Sequence, residues 1–197
     1  MNRSNLHAYQ LKAIEHILDK RRCALFLDMG LGKTATTLTA ISDLINASII
    51  KKVLVIAPLR VARSVWPSEV KKWDHLSHLK VSVAVGTAQQ RKDALNTKAE
   101  LTIINKENVT WLVNLCAEKK VWPYDAIVCD ESSCVKNPSA KIFRSLKKIS
   151  KFTNLMVLLS GTPSPQGLLD LWSQVFLMDG GDSLGRTMTG YKQRFFN

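Results

Sequence analysis

The feature that most constrains this chain is an alternation of short β-branched runs, several of them apolar throughout, with longer segments of helical periodicity. Strands are predicted over Cys23–Asp28, Val53–Ala57, Val81–Val85, Leu101–Ile104, Ala126–Asp130 and Leu155–Ser160. Helices are predicted over 6–20, 33–47, 62–74, 87–96, 108–119, 139–150 and 166–178. Strands apolar throughout are strands covered on both faces. Their alternation with helices implies an α/β fold, a mostly parallel sheet with helices on both faces. The one clear break is Gly180–Gly185, which leaves a short tail, so residues 1–197 are read as one domain. No apolar run approaches the ~18 residues of a membrane span, and Met1-Asn2-Arg3-Ser4-Asn5 has no hydrophobic leader. Cys23, Cys116, Cys129 and Cys134 have neither metal-site spacing nor the density of a disulfide framework. These features imply a soluble, cytoplasmic protein without a membrane partner. In sheets of this kind ligands gather at the carboxyl ends of the strands, so motifs are weighed by whether they fall there.

Gly30-Leu31-Gly32-Lys33-Thr34 follows the first strand and opens a long helix. Glycines let backbone N–H groups wrap phosphate oxygens, and the helix N-terminus adds partial positive charge. In such a loop Lys33 reaches the β- and γ-phosphates and the Thr34 hydroxyl ligates Mg²⁺. The full pattern of a phosphate-binding loop has a glycine where this chain has Leu27. A second site candidate ends the strand Ala126–Cys129, where Asp130-Glu131 follows four apolar residues. Two carboxylates there are costly unless they hold a metal or do chemistry. Asp130 suits Mg²⁺ binding, directly or through water, and Glu131 suits a general base acting on water. Together the two motifs describe a nucleoside-triphosphatase site using ATP and Mg²⁺.

The order of motifs resembles the first lobe of a superfamily-2 helicase or translocase, in the SNF-type, chromatin-remodeller-like branch. Leu6-His7-Ala8-Tyr9-Gln10 resembles the Q-motif region, which implies that Gln10 reads adenine. Asp28-Met29-Gly30-Leu31-Gly32-Lys33-Thr34 is similar to motif I, and Ala57-Pro58-Leu59-Arg60 to motif Ia. Ile103-Ile104-Asn105-Lys106-Glu107 sits where this branch has another strand-contacting motif. Asp130-Glu131-Ser132-Ser133, with Val135-Lys136-Asn137, resembles motif II, and Ser160-Gly161-Thr162-Pro163 resembles motif III. The resemblance implies that Ser160 and Thr162 couple nucleotide state to nucleic acid. Leu169-Asp170-Leu171-Trp172 and Leu184-Gly185-Arg186-Thr187 most resemble members carried by bacteriophages. Motif II departs from the best-known families, which have Ala-Asp or Ala-His at Ser132-Ser133, the position that relays to motif III.

The resemblance further implies a RecA-like lobe that acts with a second one, which supplies arginine fingers and half of a DNA track. No second lobe is legible before Asn197. Such a lobe could come from a partner chain or from a longer protein of which this is a part. Loss of a transition-state arginine costs ~10³–10⁵ in turnover, so weak ATP hydrolysis is expected of this chain alone. The alternative is a regulatory module that binds nucleotide and DNA without motor action. Duplex DNA is the preferred track, by resemblance to the SNF-type branch.

The formal net charge of +12 is unevenly placed. Residues 51–98 carry +7 and residues 136–151 carry +6, on either side of an acidic middle. Arg60 and Arg63 fall just past a strand's carboxyl end, where phosphate contacts would give affinity without reading sequence. Lys106 joins them through the resemblance alone. The block Lys136–Lys151 has two readings, a phosphate-facing surface or the solvated face of a helix whose Ile142, Phe143, Leu146 and Ile149 turn inward. Trp66, Trp73, Trp111, Trp122 and Trp172 are read as packing residues. His7, His16, His75 and His78 form no metal set with the cysteines, and Cys129 and Cys134 are read as unreactive beside the carboxylates.

Overall fold

The computed structural model describes residues 1–196, leaving Asn197 of the expected domain outside the described residues. Among the described residues six strands form one sheet: β1 (Arg22–Phe26), β2 (Val53–Ala57), β3 (Val81–Ala84), β4 (Leu101–Asn105), β5 (Ala126–Asp130) and β6 (Leu155–Ser160). Every pairing is parallel, in the order β1-β6-β5-β2-β4-β3. The sheet is thus more uniform than the expected mostly parallel one. Residues of β2, β4 and β6 are buried throughout, whereas edge strands β1 and β3 alternate between buried and half-buried positions, with β1 ending at an exposed Phe26. That difference follows from having one neighbouring strand instead of two.

The described residues also form eight α-helices around the sheet: α1 (Ala8–Lys20), α2 (Lys33–Asn46), α3 (Trp66–Lys72), α4 (Ala88–Asn96), α5 (Val109–Glu118), α6 (Lys141–Ile149), α7 (Leu171–Asp179) and α8 (Met188–Phe195). Successive strand residues point to opposite faces, and the core divides accordingly. Val53, Val55 and Ala57 of β2 face Ile14 and Ile17 of α1, Leu38 and Ile41 of α2, and Trp66 of α3. Leu54 and Ile56 face Leu112 of α5, Phe143 and Leu146 of α6, and Trp172 of α7. Among the described residues, no helix is long and apolar enough to cross a membrane.

Three elements differ from the sequence expectation. The helix predicted over 62–74 is a π-helical turn, Val61–Val65, running into α3. Pro67 has no N–H to return to the preceding turn, which favours the wider winding. The segment predicted as helical from 166 starts as the 3₁₀ turn Leu168–Asp170 before α7. The tail after the glycine break folds as α8, capped by the Thr187 hydroxyl, which accepts from Gly190 N–H at 3.1 Å. Tyr191 is its single buried residue and donates its hydroxyl to the Leu168 carbonyl at 3.0 Å. One anchor in eight residues is too little to show as periodicity. On α6, Lys141, Arg144, Lys147 and Lys148 are exposed while Phe143, Leu146 and Ile149 are buried and Ile142 is half-buried, an amphipathic helix compatible with both readings of this block.

Candidate functional site at the carboxyl edge of the sheet

Because all strands run the same way, the loops leaving them emerge together at one edge. In spatial order these are the glycine loop after β1, Gly161-Thr162 after β6, Glu131 after β5, Arg60 after β2 and Lys106 after β4. Segments far apart in the chain thereby become neighbours about one strand spacing apart, ~4.8 Å.

The glycine loop leaves β1 tied to its neighbour, with Leu27 N–H donating to the Ser160 carbonyl at 3.2 Å. Gly30 and Gly32 have φ of 82° and 72°, which a side chain would strain. Gly32 is the N-cap of α2, and no side chain caps that helix. Its first turn therefore offers N–H groups without a side-chain acceptor, a setting suited to anions. The Lys33 ammonium is folded back onto the carbonyls of Leu27 (2.6 Å) and Asp28 (3.0 Å). Gln10 is buried under this loop, where its amide N–H donates to the Leu31 carbonyl at 3.4 Å. Its other end accepts from His7 N–H at 2.8 Å, and the Tyr9 hydroxyl donates to the same Leu31 carbonyl at 3.2 Å. A Cβ on Gly32 would lie 2.3 Å from Gln10 Nε2, so the loop and the glutamine are fitted to each other. A cleft of about 400 Å³ lies between them, lined by Gln10, Gly30, Gly32, Lys33 and Thr34 and, opposite, by Glu69, Lys72 and Trp73.

At the end of β5 the two carboxylates have separate environments. Burial raises the pKa of Asp130, and the hydrogen bond from Trp66 Nε1 to its Oδ2, at 2.8 Å, opposes that rise. The negative charge of Glu131 adds to the rise and the positive charge of Lys33 acts against it. Glu131 has φ 62°, in the left-handed region unusual for a residue with a side chain. That turn carries its carboxylate toward β6, where Oε1 accepts two hydroxyls, Ser160 Oγ and Ser133 Oγ, each at 2.9 Å. Ser160 Oγ in turn accepts Thr162 N–H at 3.0 Å. The serine departure in motif II therefore retains a link to Ser160, made through one oxygen of Glu131.

A second connection runs behind the first. Ser132 Oγ donates to Gln174 Oε1 at 2.6 Å, and Gln174 Nε2 donates to the carbonyls of Pro163 (2.6 Å) and Asp170 (3.0 Å). Ser132 and Gln174 are both fully buried, so α7 holds the loops after β5 and β6 in a network without an unmet polar group on either side chain. Sequence reasoning did not pick out Gln174. Its only sequence signal is a polar residue inside the apolar run of α7. Trp66 packs in the core as expected, but its indole also bonds Asp130. The general tendency of a buried Trp N–H to find a partner was the available hint. Trp73 and Trp172 are buried, whereas Trp111 and Trp122 are half-buried.

Arg60, just before the π-helical turn after β2, and Arg63, on that turn, are exposed, and Lys106 is half-buried in the turn after the adjacent β4. Lys106 lines a groove of about 530 Å³ with Cys134 and Lys141. Cys134 lies with its sulfur 3.8 Å from that of Cys129. The contact with Cys129, aided by Lys106, holds the Cys134 thiol below its usual range. Lys106 and a second sulfur thus act on Cys134 beside the carboxylates that the sequence places around it.

The residues fit ATP and Mg²⁺. A side-chain-free loop, an uncapped helix start and a lysine suit a polyphosphate. Among the described residues no group of three or more His, Cys, Asp or Glu forms a metal cluster. Magnesium bound with a nucleotide needs none, since phosphates and water complete a shell begun by one or two hard oxygens such as those of Thr34 and Asp130.

Comparison with known proteins agrees with this arrangement. Residues 9–182 match the model of the SNF2-related domain. The chain is 43% identical over 195 residues to protein p41 of Acyrthosiphon pisum secondary endosymbiont phage 1, spanning 95% of this chain and 42% of that protein. It is 30% identical over 180 residues to an uncharacterised ATP-dependent helicase, MG018, of Mycoplasma genitalium, spanning 86% of this chain and 16% of the relative. The SWI2/SNF2 ATPase core of Sulfolobus solfataricus in complex with double-stranded DNA superposes with a TM-score of 0.82 at 27% identity, over 97% of this chain and 39% of that one. A second structure, of the Sulfolobus solfataricus SWI2/SNF2 ATPase core domain, superposes with a TM-score of 0.74 at 27% identity, over 97% of this chain and 38% of that one. The chain thus spans less than half the length of each of these relatives.

Proposed function

Since the chain belongs to the SNF2-related domain family, we propose that it is the ATP-binding RecA-like lobe of a DNA-dependent ATPase or duplex-DNA translocase. One observation carries the reading: Glu131 Oε1 takes the hydroxyls of Ser133 and Ser160, which joins the acidic pair after β5 to the Ser160–Thr162 loop after β6. In this reading the loop Gly30–Gly32 and the N–H groups opening α2 hold the phosphates, and Lys33 exchanges its two loop carbonyls for phosphate oxygens. Gln10 faces the base side of the cleft. Thr34 and Asp130 would hold a magnesium ion, which would supply charge neutralisation at the phosphate oxygens. With Oε1 fixed by two donors, Oε2 of Glu131 is left to accept a proton from the attacking water. Movement of Thr162 reaches Glu131 through Ser160, a route between nucleic acid and the hydrolytic carboxylate.

Arg60, Arg63 and Lys106 would contact backbone phosphates, in line with a related core whose described complex contains double-stranded DNA. A second lobe, on this chain's continuation or a partner, would supply the arginine that stabilises the transition state. Turnover by this lobe alone would then be low by ~10³–10⁵. The test is ATP hydrolysis with and without duplex DNA, single-stranded DNA and RNA, on the native chain and Glu131→Gln. Weak hydrolysis that duplex DNA and an added second lobe increase, and that Glu131→Gln abolishes, supports the proposal. Nucleotide binding without hydrolysis in any combination would point instead to a regulatory module, and unchanged nucleotide affinity in Lys33→Ala would refute the site itself.

A further inference from the structure

The two thiols bracketing the acidic pair are placed for chemistry that the proposed hydrolysis does not use. Cys129 is fully buried as the fourth residue of β5, and Cys134 lies on the 3₁₀ turn Ser132–Val135, which folds back beside the strand end. Their sulfurs are 3.8 Å apart, in contact but unbonded. Cys134 is half-buried and lines the groove it shares with Lys106, Thr110 and Lys141, so a small oxidant can reach it from solvent. The other two cysteines have no such partner: Cys23 lies on β1 and Cys116 on α5, and burial raises both thiols above their ordinary range.

We propose that Cys129 and Cys134 are an oxidative modification site, at which peroxide converts the pair to an intramolecular disulfide that closes a ring around Asp130 and Glu131. The Cys134 thiolate attacks one peroxide oxygen, the O–O bond breaks, and hydroxide leaves with its electron pair to give a sulfenic acid. The Cys129 sulfur then attacks the sulfenic sulfur. An S–S bond forms, the S–O bond breaks, and the departing hydroxide takes the Cys129 proton as water. In sum two thiols are oxidised and one peroxide is reduced to two waters.

Bonding requires the sulfurs to close from 3.8 Å to about 2.05 Å. Cys129 is fixed in the sheet, so the closure falls on the Cys134 side chain and the turn that carries it. That turn is tied to the carboxylate it follows, because Cys134 N–H donates to the Glu131 carbonyl at 3.2 Å and Ser133 Oγ donates to Glu131 Oε1. Glu131 is already in the left-handed region and has little freedom to follow without losing a hydroxyl donor. Oxidation therefore displaces the acidic pair, and this consequence rests on the function proposed above.

The test treats the native chain with hydrogen peroxide, denatures it under acid and counts free thiols, then maps peptides without reduction. The expected result is a fall from four free thiols to two, a Cys129–Cys134 crosslink, and recovery with dithiothreitol. Cys134→Ser should keep its three thiols under the same treatment, and Cys116→Ser should still form the crosslink. Four surviving thiols, or a bond mapped to Cys116 or between chains, would overturn the proposal. Mapping on the native chain stands whether or not either variant folds. Hydrolysis followed in parallel should fall on oxidation and return on reduction. A crosslink that forms in a chain with no hydrolysis in either state would refute the functional reading and leave the modification site standing.

Discussion

Gln174 offers the sharpest test of how the site is held together. Gln174→Met keeps nearly the same volume, so packing changes little, but it removes both ends of the amide. The Asp170 carbonyl keeps a partner within the helix, because Asp170 is the residue that caps α7. Ser132 Oγ and the Pro163 carbonyl are left without the bonds they make at 2.6 Å. At about 1–3 kcal/mol for each buried group left unmet, the substitution costs about 2–6 kcal/mol. Ser132→Ala alone orphans only Gln174 Oε1 and costs about 1–3 kcal/mol. In the double variant Ser132 no longer brings a hydroxyl to satisfy, so only Pro163 remains unmet and the cost returns to about 1–3 kcal/mol. Adding Ser132→Ala to Gln174→Met should therefore stabilise the protein. At about 2–4 °C per kcal/mol for a chain of this size, the double variant should melt about 2–12 °C above Gln174→Met. Thermal and urea denaturation of the four proteins would measure the cycle. If the double variant melts below Gln174→Met by the decrement of Ser132→Ala alone, the two side chains are energetically independent and the network described here is wrong.

Burial raises the pKa of Asp130, so its charged form is disfavoured in the folded chain, and its contribution to stability is lost as pH rises through the raised value. Asp130→Asn, which can still accept from Trp66, should then raise the melting temperature at pH 7 while abolishing hydrolysis. The gain should vanish below the ordinary Asp value of 3.8, and a gain independent of pH would contradict the desolvation argument. Gly32→Ala should cost about 1–2 kcal/mol of backbone strain and push Gln10 aside. Gly30→Ala carries the strain alone, since a Cβ there meets nothing within 4 Å. A larger loss of nucleotide affinity in Gly32→Ala, measured by titration, is the expected distinction, and equal losses would count against Gln10. Replacing Arg60 and Arg63 by Ala should lower the log–log salt slope of duplex binding by about 0.9 per lost phosphate contact, whereas an unchanged slope would mark both as solvated.

Much of the fold was legible because both-faced burial writes itself into β2, β5 and β6 as apolar runs and into β4 as a run broken only by Thr102 before its Asn105 end, and these strands were placed to within a residue. The loops at their ends were equally legible, since glycines at positive φ and carboxylates after an apolar strand are rare without a reason. The connections between loops were not. Nothing in Ser132, Ser133 or Gln174 as residue types tells which oxygen each will face, because that depends on α7 crossing behind β5 and β6. The π-helical turn and α8 escaped for a related reason, one set by a single Pro67 and the other by a single buried Tyr191.

The sheet order has a consequence for how the site comes into being. β1, which leads into the glycine loop, pairs with β6, and its Arg22 meets Met156 from 134 residues further along. β2 and β4 pair across a much shorter stretch of chain, Val53 with Leu101. Contacts between distant segments form late, and at ~5–20 residues per second of synthesis the β1 edge waits roughly 7–27 s for its partner to be made. A ribosome-bound chain would therefore carry a preformed centre of the sheet and an unmoored glycine loop, and nucleotide would gain its pocket only once Leu155–Ser160 had emerged.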